Sequence, residues 1–249
     1  MRFIPWCAAM GLASTALAQT SPAPKAHVEQ LIPWLLDEDE QLRGVPFSEL
    51  IFDTTGRKLL PFAADNAIDQ RVAKAISGAC DETMKRLYAP DSKIQNIDRI
   101  NEVSSHIEDA LRELLNATPG LQCDLPLTAE GNVQRSGYPD LRITDLESKR
   151  VFYLDPKLYA TGSRDSSFRT FYFEPKKSTN KVRDDAVHFA VGFEHASRGI
   201  RSGSPKAACK FTRWDLVDLS RFTVKLKAKF QGSNRDIYRP EAVVASSEE

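Results

Sequence analysis

The sequence predicts an α/β fold in which helices flank a mixed central sheet, and three observations predict it. Two stretches, 66–88 and 98–117, carry apolar residues at helical spacing. Two others, 137–146 and 149–159, are apolar-flanked runs of strand length joined by Glu147-Ser148. The order that follows from 98 onward is helix, strand, strand, strand, helix, strand, the pattern of an α/β sandwich.

Taken from the start, Arg2, the apolar run from Phe3 to Leu17 and the small-residue pattern Ala16-Leu17-Ala18 before Gln19 predict a secretory signal peptide over 1–18. Cleavage after Ala18 would remove Cys7 and export the mature chain, to periplasm or beyond. A Pro/Ala/Ser linker over 19–25 leads to a short helix over 27–36, interrupted at Pro33. The segment 47–62 holds two apolar runs around Asp53-Thr54-Thr55-Gly56 and predicts a β-hairpin turning at Thr55-Gly56. Ile68, Val72, Ala75, Ile76, Met84 and Leu87 make 66–88 an amphipathic helix. Ile100, Val103, Ile107, Ala110, Leu111 and Leu114 fall on one stripe of a second helix, ended by Pro119-Gly120.

A loop is expected over 124–136, then the two strands, then a third over 168–173 where aromatic and polar residues alternate. Val182, Ala186, Phe189, Ala190 and Phe193 predict a helix over 180–196. Strands are expected at 213–219 and 222–230. The division predicted is a signal peptide (1–18), an N-terminal helix and hairpin extension (19–90), a core (91–240) and a disordered tail (241–249).

The composition, 41% hydrophobic and 27% charged, is that of an ordinary globular chain. No stretch beyond the leader approaches the ~20 apolar residues of a membrane span. The net charge of zero hides an asymmetry: 198–239 holds eleven basic residues against Asp215, Asp218 and Asp236, so a basic C-terminal half could draw a polyanion. Cys80, Cys123 and Cys209 match no zinc spacing. In an oxidising compartment they leave two readings, one disulfide with a buried thiol or three buried free thiols.

The chemistry-bearing constellation is Tyr138-Pro139-Asp140-Leu141-Arg142-Ile143 followed by Tyr153-Leu154-Asp155-Pro156-Lys157. Side chains at i and i+2 of a strand share a face, so Asp155 and Lys157 converge. Asp140, on the neighbouring strand, comes close enough for two carboxylates to share one hard cation. Pro156 departs from an ordinary strand, because proline removes a ladder donor and favours an edge or a bulge.

These residues resemble the PD-(D/E)xK signature of the restriction-endonuclease-like nucleases, and the resemblance covers roughly 98–219. It implies an αβββαβ core and hydrolysis of phosphodiester bonds with Mg2+ or Mn2+. By position Asp140 and Asp155 would hold the metal, and Lys157 would lie beside the attacking water. Many members add an acid from the preceding helix. Here Glu108, at the margin of the apolar stripe, is the choice over Glu102, Asp109 and Glu113. DNA is the expected substrate ahead of RNA.

Between the second strand and the next helix, Arg164, Arg169, Lys176, Lys177 and Lys181 are interleaved with Phe168, Phe171, Tyr172 and Phe173. Such mixtures suit phosphate contacts and base stacking. Other constellations are absent: there is no Gly-rich phosphate loop, no GxSxG elbow and no HExxH, and His106, His188 and His195 read as surface or satisfied core residues. Two rival functions remain. One is a non-catalytic envelope protein that holds a polyanion or a protein on the same fold; the other is a glycosidase using Asp140 and Asp155 as its carboxylate pair.

Overall fold

The computed structural model describes residues 29–33, 35, 43–97, 100–166, 171–196, 210–227 and 231–245. The chain divides into two compact units, Arg43–Leu226 and Met1–Leu42 with Lys227–Glu249. The predicted signal peptide, its cleavage site and the whole 19–25 linker lie outside the described residues. In the smaller unit, 29–33 and 35 are helical. Its other described elements are α4 (Asn234–Ile237), whose Ser233 and Asp236 form a capping box, and a 3-10 turn at Pro240–Ala242. The start of the predicted disordered tail is thus an ordered turn.

The larger unit is built on a six-stranded sheet. Its strands are β2 (Leu59–Leu60), β3 (Leu121–Asp124), β4 (Leu141–Asp145), β5 (Val151–Ala160), β6 (Ala186–His195) and β7 (Phe211–Asp218). β3, β4 and β5 form an antiparallel meander, and β6 joins β5 in parallel. On its other side β6 pairs in parallel with β2 at its start and antiparallel with β7 from Phe189 onward. The sheet is therefore mixed, as expected. A separate two-stranded ribbon pairs β1 (Val45–Pro46) with β8 (Thr223–Val224).

One face of this sheet is apolar. Leu141, Ile143, Phe152, Leu154, Val187, Phe189, Val191 and Phe193 are buried there with Cys80 and Cys123, under α2 (Ala67–Tyr88) and α3 (Ser104–Asn116). Val72, Ile76, Ala79 and Leu87 of α2, and Ile107, Leu111 and Leu115 of α3, supply the helical stripes. Both cysteines are free thiols, which removes a bond between them from the predicted pairings; Cys209 lies outside the described residues. Because β2 and α2 are bound into this sheet and core, residues 43–90 and the nuclease-like segment share one compact unit.

Several elements correct the sequence reading. The expected hairpin over 47–62 is a helix, α1 (Phe47–Thr55), followed by β2. Phe47 and Ile51, one turn apart, bury the same face, and the Thr54 and Thr55 hydroxyls bond back to Leu50 O and Ile51 O. Gly56 takes φ 69° and its N–H reaches Phe52 O, so it stops a helix where a hairpin turn was expected. The second predicted helix begins as a 3-10 turn, Ile100–Val103, before α3.

The expected helix over 180–196 is β6. Phe189, Val191 and Phe193 point into the apolar core while His188, Ala190 and Gly192 face the other way. A central strand buried on both faces loses its period of two and imitates a helical stripe. No strand forms at 171–173, and 167–170 lie outside the described residues. Phe171 and Phe173 instead pack edge-on against Phe47, while Tyr172 stays exposed. Of the strand expected over 222–230, Thr223–Val224 form β8, 225–227 are not strand, and 228–230 lie outside the described residues.

Candidate active site

The site residues are set by strand register. β4 and β5 pair through Leu141↔Leu154, so extending the register by one residue places Asp140 opposite Asp155. On β5, Asp155 and Lys157 share the face opposite the apolar core, and Lys157 Nζ lies against Asp155 Oδ2 and 3.8 Å from Asp140 Oδ2. Pro156, between them, points into the core side and pairs with Val191 on β6. The β4 ladder has already ended at Leu154, which lets proline sit in this strand without breaking that ladder.

Burial sets the electrostatics. Asp155 is 2% exposed, and its Oδ2 accepts no well-directed hydrogen bond from the described residues. Asp140, also shielded, has its carboxyl pushed up to about 8, first by burial and then by the neighbouring Asp155 charge, with Lys157 opposing. Glu108, on α3, stands within reach of the charges of Lys157 and Lys181; its pKa is raised, chiefly by burial and partly offset by Arg135. Glu108 is half-buried, whereas Glu102 and Glu113 are exposed. Among the described residues, however, no three acidic, histidine or cysteine side chains stand close enough to enclose an ion. Asp140 and Asp155 are the close pair, and Glu108 stands behind it.

A divalent cation fits this pair. Its oxygens are hard donors, one buried oxygen lacks a hydrogen bond, and two adjoining carboxylates drive one of themselves toward protonation, a strain that a cation relieves.

The predicted nucleic-acid contacts divide. Arg164 is exposed and pairs with Asp215 at 3.4 Å, Lys176 is exposed beside Glu174 at 3.1 Å, and Lys177 is exposed. Arg169 lies outside the described residues. Lys181 is a correction: it is 1% exposed, and its Nζ donates to Gln134 O and Arg135 O, both at 3.3 Å. Its pKa is lowered by burial, against the attraction of Asp140, Asp155 and Glu108.

Sequence reasoning missed three features. Arg135 spans 3.7 Å to Glu108 and also pairs with Asp109, a long-range contact with no local pattern to betray it. Tyr138, just before a cis Tyr138–Pro139 bond, is hydrogen-bonded to His188 Nδ1 at 2.6 Å. His188 is therefore a core residue, but not a fully satisfied one, because its Nε2 has no partner among the described residues. Finally, a cavity of about 860 Å3 opens beside Lys181, lined by the loop from Leu125 to Gly131 and by Arg112, Asp124, Arg142, Arg183 and Asp184. The expected loop folds back on itself there through a Leu127↔Val133 bridge.

The family model for the type II restriction enzyme MjaV family matches residues 40–241. The type II restriction enzyme MjaV of Methanocaldococcus jannaschii is 26% identical over 230 residues, covering 88% of this chain and 96% of that protein. Among solved structures, restriction endonuclease BglI bound to its DNA recognition sequence aligns with a TM-score of 0.37 at 11% identity, over 78% of this chain and 77% of that one. The chain belongs to the type II restriction enzyme MjaV family, and so to the restriction-endonuclease-like nucleases.

Proposed function

We propose that this nuclease hydrolyses phosphodiester bonds in DNA with the help of a divalent ion, Mg2+ or Mn2+, held by Asp140 and Asp155. The observation that carries the reading is the convergence of Asp140, Asp155 and Lys157 at one end of the β4–β5 pair, two shielded carboxylates with an ammonium against them. A bound ion would lower the pKa of a water and offset charge on the phosphate. Lys157 adds a positive charge at the point where the nucleophile meets the phosphate. Glu108 extends the negative field behind the pair. Arg164, Lys176 and Lys177, exposed on the segment that follows β5, are the proposed contacts for the backbone of a duplex. Kinship with a type II restriction enzyme supports DNA as the substrate.

The test is cleavage of plasmid and single-stranded DNA with Mg2+, Mn2+ or EDTA, using the wild type, Asp155→Ala and Lys157→Ala. Metal-dependent cutting that both variants lose supports the reading and its residues. Cutting that survives both substitutions overturns the site, and binding without cutting favours the polyanion-holding alternative. Export is a separate proposal, supported by the charge and apolar pattern of residues 1–18. Mass spectrometry of protein from its native cells should find a mature start at Gln19; an intact leader on the active protein overturns it.

A further inference from the structure

Lysine is almost never fully buried unless its charge is paired. Lys181 is among the largest fully buried side chains, yet its ammonium makes no ion pair within 4 Å among the described residues. Two of its donors go to the carbonyls of Gln134 and Arg135, and the field of Asp140, Asp155 and Glu108 surrounds it. The turn it grips is held from the other side as well. The Arg135 side chain reaches Glu108 and Asp109 on α3, and Gln134 Nε2 closes the turn onto Ser136 O at 2.9 Å. Four residues after Ser136 along the chain comes Asp140.

We propose that Lys181 is a positioning residue, which pins the 134–136 turn to the strand-to-strand crossover and so holds Asp140 opposite Asp155 in the geometry an ion requires. A neutral donor could bond the same carbonyls. The ammonium adds a charge that allows Asp140, Asp155 and Glu108 to stand together before any ion arrives. Lys181 acts through Asp140, from inside the protein, and is no contact for the DNA backbone. The clamp rests on geometry, while its effect on cleavage rests on the nuclease reading above.

Lys181→Met is the first variant, because an apolar side chain of similar length often replaces a buried ion without loss of folding. Lys181→Gln, which keeps a donor but no charge, is the second. Three quantities are read: Mn2+ binding to the protein without DNA, by calorimetry; DNA affinity in EDTA, by fluorescence anisotropy; and kcat at saturating DNA and metal. Lys181→Met should weaken Mn2+ binding about tenfold and lower kcat about 10–100-fold, the usual scale for residues that orient metal ligands. DNA affinity should stay within about twofold, because no contact with the backbone is removed. Lys181→Gln should fall between.

A loss of DNA affinity with Mn2+ binding and kcat unchanged would make Lys181 a phosphate contact and overturn the proposal. So would wild-type values of Mn2+ binding and kcat in both variants. A wild-type protein that neither binds Mn2+ nor cuts DNA overturns the nuclease reading itself, a result distinct from either.

Discussion

The Tyr138 hydroxyl and His188 Nδ1 lie 2.6 Å apart in the interior, joining the segment that leads into Asp140 to the central strand β6. Burial pushes His188 down to about 3 and the Tyr138 phenol well above its ordinary range, so both are neutral at any working pH. Tyr138→Phe leaves His188 with two unpaired ring nitrogens. Urea denaturation should show a loss of about 1–3 kcal/mol. No measurable loss would mean that the bond contributes nothing net.

The Asp140 carboxyl, at about 8 in the folded protein against an ordinary 3.8, makes metal-free stability depend on pH. Below the ordinary value both folded and unfolded chains hold the proton. Between the two values the folded chain retains a proton that the unfolded chain has released, so stability falls as pH rises toward 8. In EDTA, Asp140→Asn should therefore gain stability relative to wild type as pH rises from about 4 to about 8.5. Thermal denaturation across that range checks it, and a difference that does not vary with pH would contradict it.

Arg150 grips the fully buried Asp69 with two nitrogens, Nε to Oδ1 at 2.6 Å and Nη2 to Oδ2 at 2.9 Å, tying the first turn of α2 to the start of β5. Removing one partner strands a buried charge. Arg150→Ala should cost about 3 kcal/mol in denaturant unfolding, the lower part of the range because the arginine is partly exposed. The folded fraction should keep its kcat, since the pair touches none of the candidate site.

Burial raises both the Cys80 and Cys123 thiols to about 12. The thiolate is the reactive form. Iodoacetamide at pH 8 should leave both unmodified in the native protein and alkylate both in denaturant, as read by peptide mapping. Rapid native labelling of either would contradict their burial.

The candidate site was legible because its logic is local. Asp155 and Lys157 are two residues apart on a strand, and Asp140 belongs to the strand paired with it, so period and register alone bring them together. The half-burial of Glu108 follows from its place at the edge of the apolar stripe of α3. Phe47 and Ile51, by contrast, fit a strand or a helix over so short a run, and the packing of Phe47 among Tyr138, Phe171, Phe173 and Phe222 accompanies the helix.

What the sequence determined by itself was whatever depends on near neighbours: the stripes of α2 and α3, the β4–β5 pair and the three residues that converge on it. The tertiary structure decided whatever depends on partners far along the chain. β6 is a strand because β5, β2 and β7 bond both its edges and its two faces are covered, which erases the alternation that marks a strand. Lys181, which reads as a surface cation, is buried with its ammonium donating to the carbonyls of Gln134 and Arg135, and the attraction of Asp140, Asp155 and Glu108 only partly offsets the water it loses. Burial depends on what lies on the other side of a residue, and a pattern of neighbours in sequence does not carry that information.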